Sequence, residues 1–313
     1  VSVDKPSFWQ ELVWRAEAFG LDLFNAIDRS WPIERMSDYG AWLFRTLGPL
    51  TRSHRVAEQN LRLAFPDMAP AERARILDAQ WDNLGRVFGE FPQMDRLTPA
   101  SGRVEVIGGE RLDAIRESGR PAVFISGHFA NWEVMASVIL HYGVRCHITY
   151  RAANNPHVDQ RFRDSRARYG VKLFAPKGGD GSREILEGFR RGESVALMND
   201  QKFNQGVPAP FFGRLCHTAP GPTRLALRTS GRLQPMSVTR LNGARFRVTA
   251  HEPIVLERTN DRLSDMESGV RKVNAFIEGL VRERPEDWFW VHKRWANEAY
   301  RALEAGLVSS PAY

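Results

Sequence analysis

Cysteine is nearly absent: Cys146 and Cys216 are the only two in 313 residues. That excludes a disulfide-stapled scaffold, and their spacing fits no zinc site. No uncharged apolar run reaches the roughly 18 residues that a spanning helix needs, which excludes a multi-span membrane protein. Low-complexity tracts and internal repeats are missing, so a disordered, collagen-like or coiled-coil chain is excluded as well. Lysine is scarce, with only Lys5, Lys172, Lys177, Lys202, Lys272 and Lys293 among 44 basic residues. There is no Gly-x-Ser-x-Gly elbow, no His-Glu-x-x-His, no P-loop and no strand-borne Gly-x-Gly-x-x-Gly. The chain as given opens at Val1 without a basic, apolar, small-residue signal pattern, and an anchor upstream is compatible with it.

What is present is a basic, aromatic-rich chain with enough apolar residues, 42%, to build a real core. The net charge is +7 and the isoelectric point near 9.7. Such a surface favours an anionic partner: nucleic acid, anionic lipid, a phosphorylated substrate or an acidic carrier protein. The basic residues are mostly arginine, which grips phosphate and carboxylate through two prongs, although genome composition explains the bias equally well.

Residues 7–92 read as helical, with Phe8, Trp9, Leu12, Val13, Trp14, Phe19, Leu23, Phe24, Ile27 and Trp31 interrupted by acids and arginines. Such a segment packs in a helical layer or lies in a membrane interface, where Trp and Phe favour the headgroup boundary. From about residue 104 the pattern alternates between short apolar runs and amphipathic stretches. Strands are expected at 122–126, 145–150, 171–175, 194–198, 233–239 and 244–251. Helices are expected at 132–140, 157–169, 182–191, 222–229 and 261–282. Asn242-Gly243 between two strands is a hairpin signal. The alternation predicts an α/β fold, a mixed β-sheet covered by helices. Two regions are expected: an N-terminal helical, membrane-facing region over 1–92 and a continuous catalytic region over 93–313.

The sharpest local feature is Ile125-Ser126-Gly127-His128-Phe129-Ala130-Asn131-Trp132-Glu133. A strand ends, glycine makes the turn and His128 sits at its tip, at the strand edge where open α/β sheets gather their sites. Glu133 begins the next helix and is positioned to fold back toward one imidazole nitrogen, leaving the other as a base. Spacing alone is weak: with 37 acids and eight histidines in 313 residues, about one such pair arises by chance. A buried histidine capping a loop is the plainer alternative. Three further segments stand out: the loop Tyr150-Arg151-Ala152-Ala153-Asn154-Asn155-Pro156, the strand end Asn199-Asp200-Gln201, and the basic-aromatic run Trp288-Phe289-Trp290-Val291-His292-Lys293-Arg294-Trp295. Turn formation, loop capping and core packing are their structural alternatives. Arg161, Arg163, Arg166 and Arg168 form a solvated helix face or a docking patch for an anion.

These segments, together with Asn60-Leu61-Arg62-Leu63-Ala64-Phe65-Pro66, Pro210-Phe211-Phe212-Gly213 and Pro222-Thr223-Arg224-Leu225-Ala226, occur in one order from residue 60 to 295. The ordered set resembles the late acyltransferases of lipid A biosynthesis, the lauroyl and myristoyl transferases, within the superfamily that carries a His-four-residues-acid motif. The resemblance implies a glycerolipid-acyltransferase-like fold and O-acyl transfer from an acyl thioester to a lipid hydroxyl. The donor is acyl carrier protein or acyl-CoA, and the acceptor an anionic membrane lipid. It places the protein at the cytoplasmic face of the bacterial inner membrane, peripheral or monotopic. It implies His128 as general base with Glu133 as its partner, and Arg151, Asn154, Asn155, Asp200, Gln201 and Arg224 as substrate-binding positions. No cofactor, metal or nucleic acid is implied. The sequence departs from the family in its weak N-terminal anchor, in Ala152-Ala153 and in Lys202. Another membrane lipid as acceptor (a lysophospholipid, a glycolipid or an ornithine lipid) is the alternative with the same chemistry. A non-catalytic lipid-binding protein is the alternative without it.

Overall fold

A computed structural model describes residues 6–176, 179–229 and 231–307. Four helices come first: α1 (Phe8–Ser30), α2 (Ile33–Leu47), α3 (Arg52–Ala64) and α4 (Pro70–Glu90). Then follow β1 (Val104–Ile107), α5 (Gly109–Ser118), β2 (Ala122–Ser126), α6 (Val134–His141), β3 (Cys146–Tyr150), α7 (Pro156–Ala167), β4 (Leu173–Pro176), α8 (Gly179–Arg190) and β5 (Ser194–Met198). The chain ends with β6 (Lys202–Phe211), β7 (Arg214–Thr218), α9 (Gly221–Thr229), β8 (Arg232–Arg240), β9 (Phe246–Ala250), α10 (Arg262–Glu283) and α11 (Asn297–Glu304).

Seven strands form one mixed sheet in the order β1-β9-β8-β2-β5-β3-β4. β2 pairs in parallel with both β5 and β8, β3 with β4 and β5, and β1 with β9; β8 and β9 are antiparallel. β2 at the centre is buried at every position, which is why its sequence is a short unbroken apolar run rather than an alternation. The register Ser126↔Met198 brings the carboxyl ends of β2 and β5 side by side. The sheet class, the β2 and β5 bounds and the hairpin at Asn242-Gly243 match the sequence reading, and Gly243 takes the positive φ of +53° that the turn requires.

The β6–β7 hairpin was not legible in the sequence. Gly206, Pro208 and Pro210 interrupt β6, and such residues are tolerated because the pair stands as a separate two-stranded sheet. The Trp288–Trp295 run is mostly core: Trp288, Trp290, Arg294 and Trp295 are buried.

Capping explains where several helices begin. Asn155 accepts bonds from the His157 and Val158 amides ahead of Pro156 in α7, and Asp261 does the same for Leu263 and Ser264 in α10. α2 lies along α4 with backbone against backbone. A methyl group at Gly40 would sit 2.1 Å from the Gly85 carbonyl oxygen, and one at Gly89 2.1 Å from that of Met36.

The first helix is turned inside out. Its polar side docks on α7 and the segment after α4. His157 and Glu11 lie 3.0 Å apart, Asn155 Nδ2 donates to the Trp14 carbonyl and to Glu17, Arg161 pairs with Asp22, and Arg29 with Asp95. The apolar side faces out, leaving Phe8, Trp9 and Phe19 at least 70% exposed. Among the described residues no helix is long and apolar enough to cross a membrane.

Candidate active site

Gly127 and His128 leave the end of β2, and Asn199 and Asp200 leave the end of β5 next to it. The Asp200 carboxylate turns onto the histidine. Its Oδ1 lies 2.7 Å from His128 Nδ1, and its Oδ2 accepts from the His128 backbone amide and from the Trp288 indole, each at 2.8 Å. A methyl group at Gly127 would lie 2.6 Å from the Phe129 ring and 3.1 Å from that Oδ2, so glycine leaves room for the ring and the carboxylate together. An ionised carboxylate only accepts hydrogen bonds, so Nδ1 carries the proton and Nε2 is the free nitrogen of the ring. Burial opposes ionisation of Asp200, but the His128 charge and bonds and the Trp288 bond outweigh it and hold its pKa well below the carboxylate range.

Glu133 is not the imidazole's hydrogen-bond partner, and on this point the sequence expectation gives way to Asp200. Glu133 accepts from Arg166 at 2.6 and 3.0 Å and from the Tyr169 hydroxyl at 3.0 Å. Burial pushes the Glu133 carboxyl up. The Arg166 charge, the bonds from Arg166 and Tyr169 and the His128 charge outweigh burial and keep its pKa lowered. Glu133 therefore adds a negative charge near the ring without binding it. The preceding turn (Ala130 has φ +43°) carries Glu133 past the histidine and toward α7. Arg166 in turn lies over the rings of Phe91 and Tyr150, so one arginine of the supposed basic face is held half-buried in an ion pair, and Arg161 is paired as well.

His128 lines a cavity of about 380 Å³. Its polar lining includes Ser126, Glu133, Arg151, Arg166, Gln201 and His292. Thr149 and Tyr150 add hydroxyls, and much of the remaining wall is apolar, from Phe124 and Ile125 of β2, Met135, Ala136 and Ile139 of α6, Ile148 of β3, Ala196 and Leu197 of β5 and Met236 of β8. Trp132 and Phe289 pack beside the histidine, with ring centroids 5.0 and 6.0 Å away. The arrangement offers a base with a fixed tautomer at one part of a slot lined by hydrocarbon.

The expected binding residues separate into three groups. Arg151 and Gln201 line the cavity, and Asp200 holds the histidine. Asn155 is a buried helix cap tied to α1, and Asn154 is exposed beside it. Arg224 lines a separate cleft with Leu227, Arg228, Arg258 and Arg262, away from His128. Sequence reasoning missed the functional pairing of Trp288 with Asp200 and of Tyr169 with Glu133. Among the described residues no group of three or more His, Cys, Asp or Glu could hold a metal ion.

A carboxylate-held imidazole beside an apolar slot, in an α/β sheet, is an arrangement suited to general-base acyl transfer. The chain belongs to the bacterial lipid A biosynthesis acyltransferase family, whose model matches residues 7–297. It is 27% identical over 244 residues to a lipid A biosynthesis acyltransferase of Haemophilus influenzae, covering 75% of this chain and 73% of that protein. It is 23% identical over 296 residues to the lipid A biosynthesis myristoyltransferase of Escherichia coli, covering 92% and 87%. Its identity to the lipid A biosynthesis lauroyltransferase of the same organism is 23% over 255 residues, covering 78% and 79%.

Proposed function

We propose that the protein transfers a fatty acyl chain from a thioester, carried by acyl carrier protein, to a hydroxyl of a lipid A precursor, with His128 as the general base. The observation that carries the reading is the 2.7 Å contact between His128 Nδ1 and Asp200 at the wall of the apolar cavity. The acyl tail lies among Met135, Ile139, Ile148 and Met236. His128 Nε2 takes the proton from the acceptor hydroxyl as its oxygen attacks the thioester carbonyl. The carbon–sulfur bond then breaks, and the imidazolium returns the proton to the departing thiolate. Asp200 stabilises the imidazolium in between, and no acyl-enzyme forms. Such a base contributes roughly 10²–10⁴-fold. Arg151, exposed at the cavity, meets the phosphate groups of the acceptor or the developing oxyanion.

The acceptor is a membrane lipid, and the inside-out α1 supports a peripheral position on the cytoplasmic face of the inner membrane. Asn155, at the start of α7, ties α1 to the loop that follows β3, and Arg151 of that loop lines the cavity. The polar side of α1 therefore rests on the loop whose Arg151 lines the cavity, and the apolar face of α1 is turned outward beside it. Trp9, Phe8 and Phe19 suit the headgroup boundary, and the positive net charge suits anionic lipid.

The test is acyl transfer from acyl-carrier thioesters to an underacylated lipid A precursor and, in parallel, to lysophosphatidic acid, read by mass spectrometry. His128→Ala is expected to lose roughly 10³-fold in rate with an unchanged circular dichroism spectrum. Near wild-type transfer by that variant overturns the assignment. Transfer to lysophosphatidic acid alone replaces the acceptor and keeps the chemistry.

A further inference from the structure

The cavity is not the only place where buried charge meets the catalytic turn. Glu90, the last residue of α4, has no exposed surface, yet its carboxylate serves three different elements. Arg240 of β8 grips it through both terminal guanidinium nitrogens, with Nη2 3.0 Å from Oε2. Ser37 of α2 donates to Oε1 at 2.7 Å. Asn131 donates to Oε2 at 2.8 Å, and Asn131 stands in the turn between His128 and Glu133. Arg240 is itself fixed by Asn83 of α4, by the Gly243 carbonyl and by the Phe246 ring 4.7 Å below it.

A buried carboxylate without such a partner would be costly; paired with Arg240 it is a fixed charge in a dry site. A hydrogen bond from Asn131 to that charge is of the stronger, charge-assisted kind. The turn needs such a tether. Ala130 is held at φ +43°, a conformation that L-residues rarely adopt and that persists only when its surroundings impose it. On one side the Ala130 amide donates to the Asp287 carbonyl at 2.9 Å, and the Phe289 amide donates to the His128 carbonyl at 3.1 Å. On the other side the tether is the side chain of Asn131.

We infer that Glu90 and Asn131 are positioning residues for the reaction. The carboxylate at the end of α4, locked by Arg240, sets the His128–Glu133 turn so that the imidazole meets Asp200. The N-terminal helices then work as part of the catalytic unit and not as an anchor alone. The inference rests on the reading of His128 as the base, but its main readout needs no substrate.

That readout is the proton spectrum of the full-length protein with imidazole-¹⁵N-labelled histidine. The His128 Nδ1–H bonded to Asp200 gives a low-field resonance, assigned by its loss in His128→Ala. In Asn131→Ala this resonance is expected to shift upfield or broaden, and kcat to fall about 10- to 100-fold while KM for both substrates stays within about twofold. Ile277→Ala, a core change in α10 outside the cavity lining, serves as the control for lost stability and should leave both readouts in place. If the alanine variant fails to fold, Asn131→Leu keeps the volume and loses the tether, with the same expected result. A folded Asn131 variant with an unmoved resonance and wild-type kcat overturns the inference. If His128→Ala remains active while the resonance still moves in Asn131→Ala, the acyl-transfer role of His128 fails and the tether stands.

Discussion

α1 and α10 are both long amphipathic helices laid against the same body, and they face opposite ways. α10 turns Val270, Val273, Ile277 and Val281 inward. α1 binds the body through Glu11, Glu17, Asp22 and Arg29 and turns Phe8, Trp9, Leu12, Phe19, Leu23 and Ile27 outward. Periodicity tells that a segment is a helix with two faces; it does not tell which face the protein keeps. An apolar face that the protein leaves outside is a face for something else.

That contrast yields four predictions in falling order of size. Ile277→Ala, which empties a fully buried site, should destabilise folding by about 2–4 kcal/mol, whereas Phe19→Ala should cost under about 0.5 kcal/mol; urea unfolding of the two variants checks this. Trp9→Ser combined with Phe19→Ser should weaken partition onto vesicles containing anionic lipid roughly ten- to hundredfold with no change in the urea midpoint, as read by sedimentation. If the double variant unfolds early instead, α1 is packed like α10 and the contrast fails.

The third concerns Asp28 in the last turn of α1, fully buried with Oδ2 unpartnered and Oδ1 bonded to Gln93. Burial pushes its pKa up to about 6, only partly opposed by Gln93 and by the Arg29 and Arg96 charges. Because the folded value is above the unfolded one, folding takes up a proton between roughly pH 4 and 6. The penalty of keeping the carboxylate ionised is therefore complete above pH 6 and absent below about pH 4. Asp28→Asn should raise the melting temperature by about 2–4 °C at pH 7.5, and the gain should vanish near pH 4. Last and smallest, Arg161→Ala removes a half-exposed pair with Asp22 and should cost no more than about 1 kcal/mol in thermal unfolding.

The sequence carried much of the frame because the central strands announce themselves. An unbroken apolar run ended by Gly127 reads as a buried strand with a turn at its carboxyl end, and His128 follows from that. Asp200 lies 72 positions further on. It was visible as a residue leaving a strand in the same sense, but its partner is fixed by the β2–β5 register, which no local pattern encodes. Glu133 shows the opposite failure. Its short spacing to the histidine suggested a contact, but the left-handed turn at Ala130 sends it to Arg166 on another helix. Asn155 and Arg224 sit in motif-like segments for different reasons, a helix cap in one case and a separate cleft in the other.

The seam between α2 and α4 has a consequence for genetics. Carbonyl oxygens stand where a methyl group would go at Gly40, Gly85 and Gly89, so even alanine there must pry the two helices apart. Ser37 and Glu90 ride on those helices, one on each. A saturation screen scored on lipid modification would then flag three glycines, none of which lines the cavity, with a severity that rivals His128 itself.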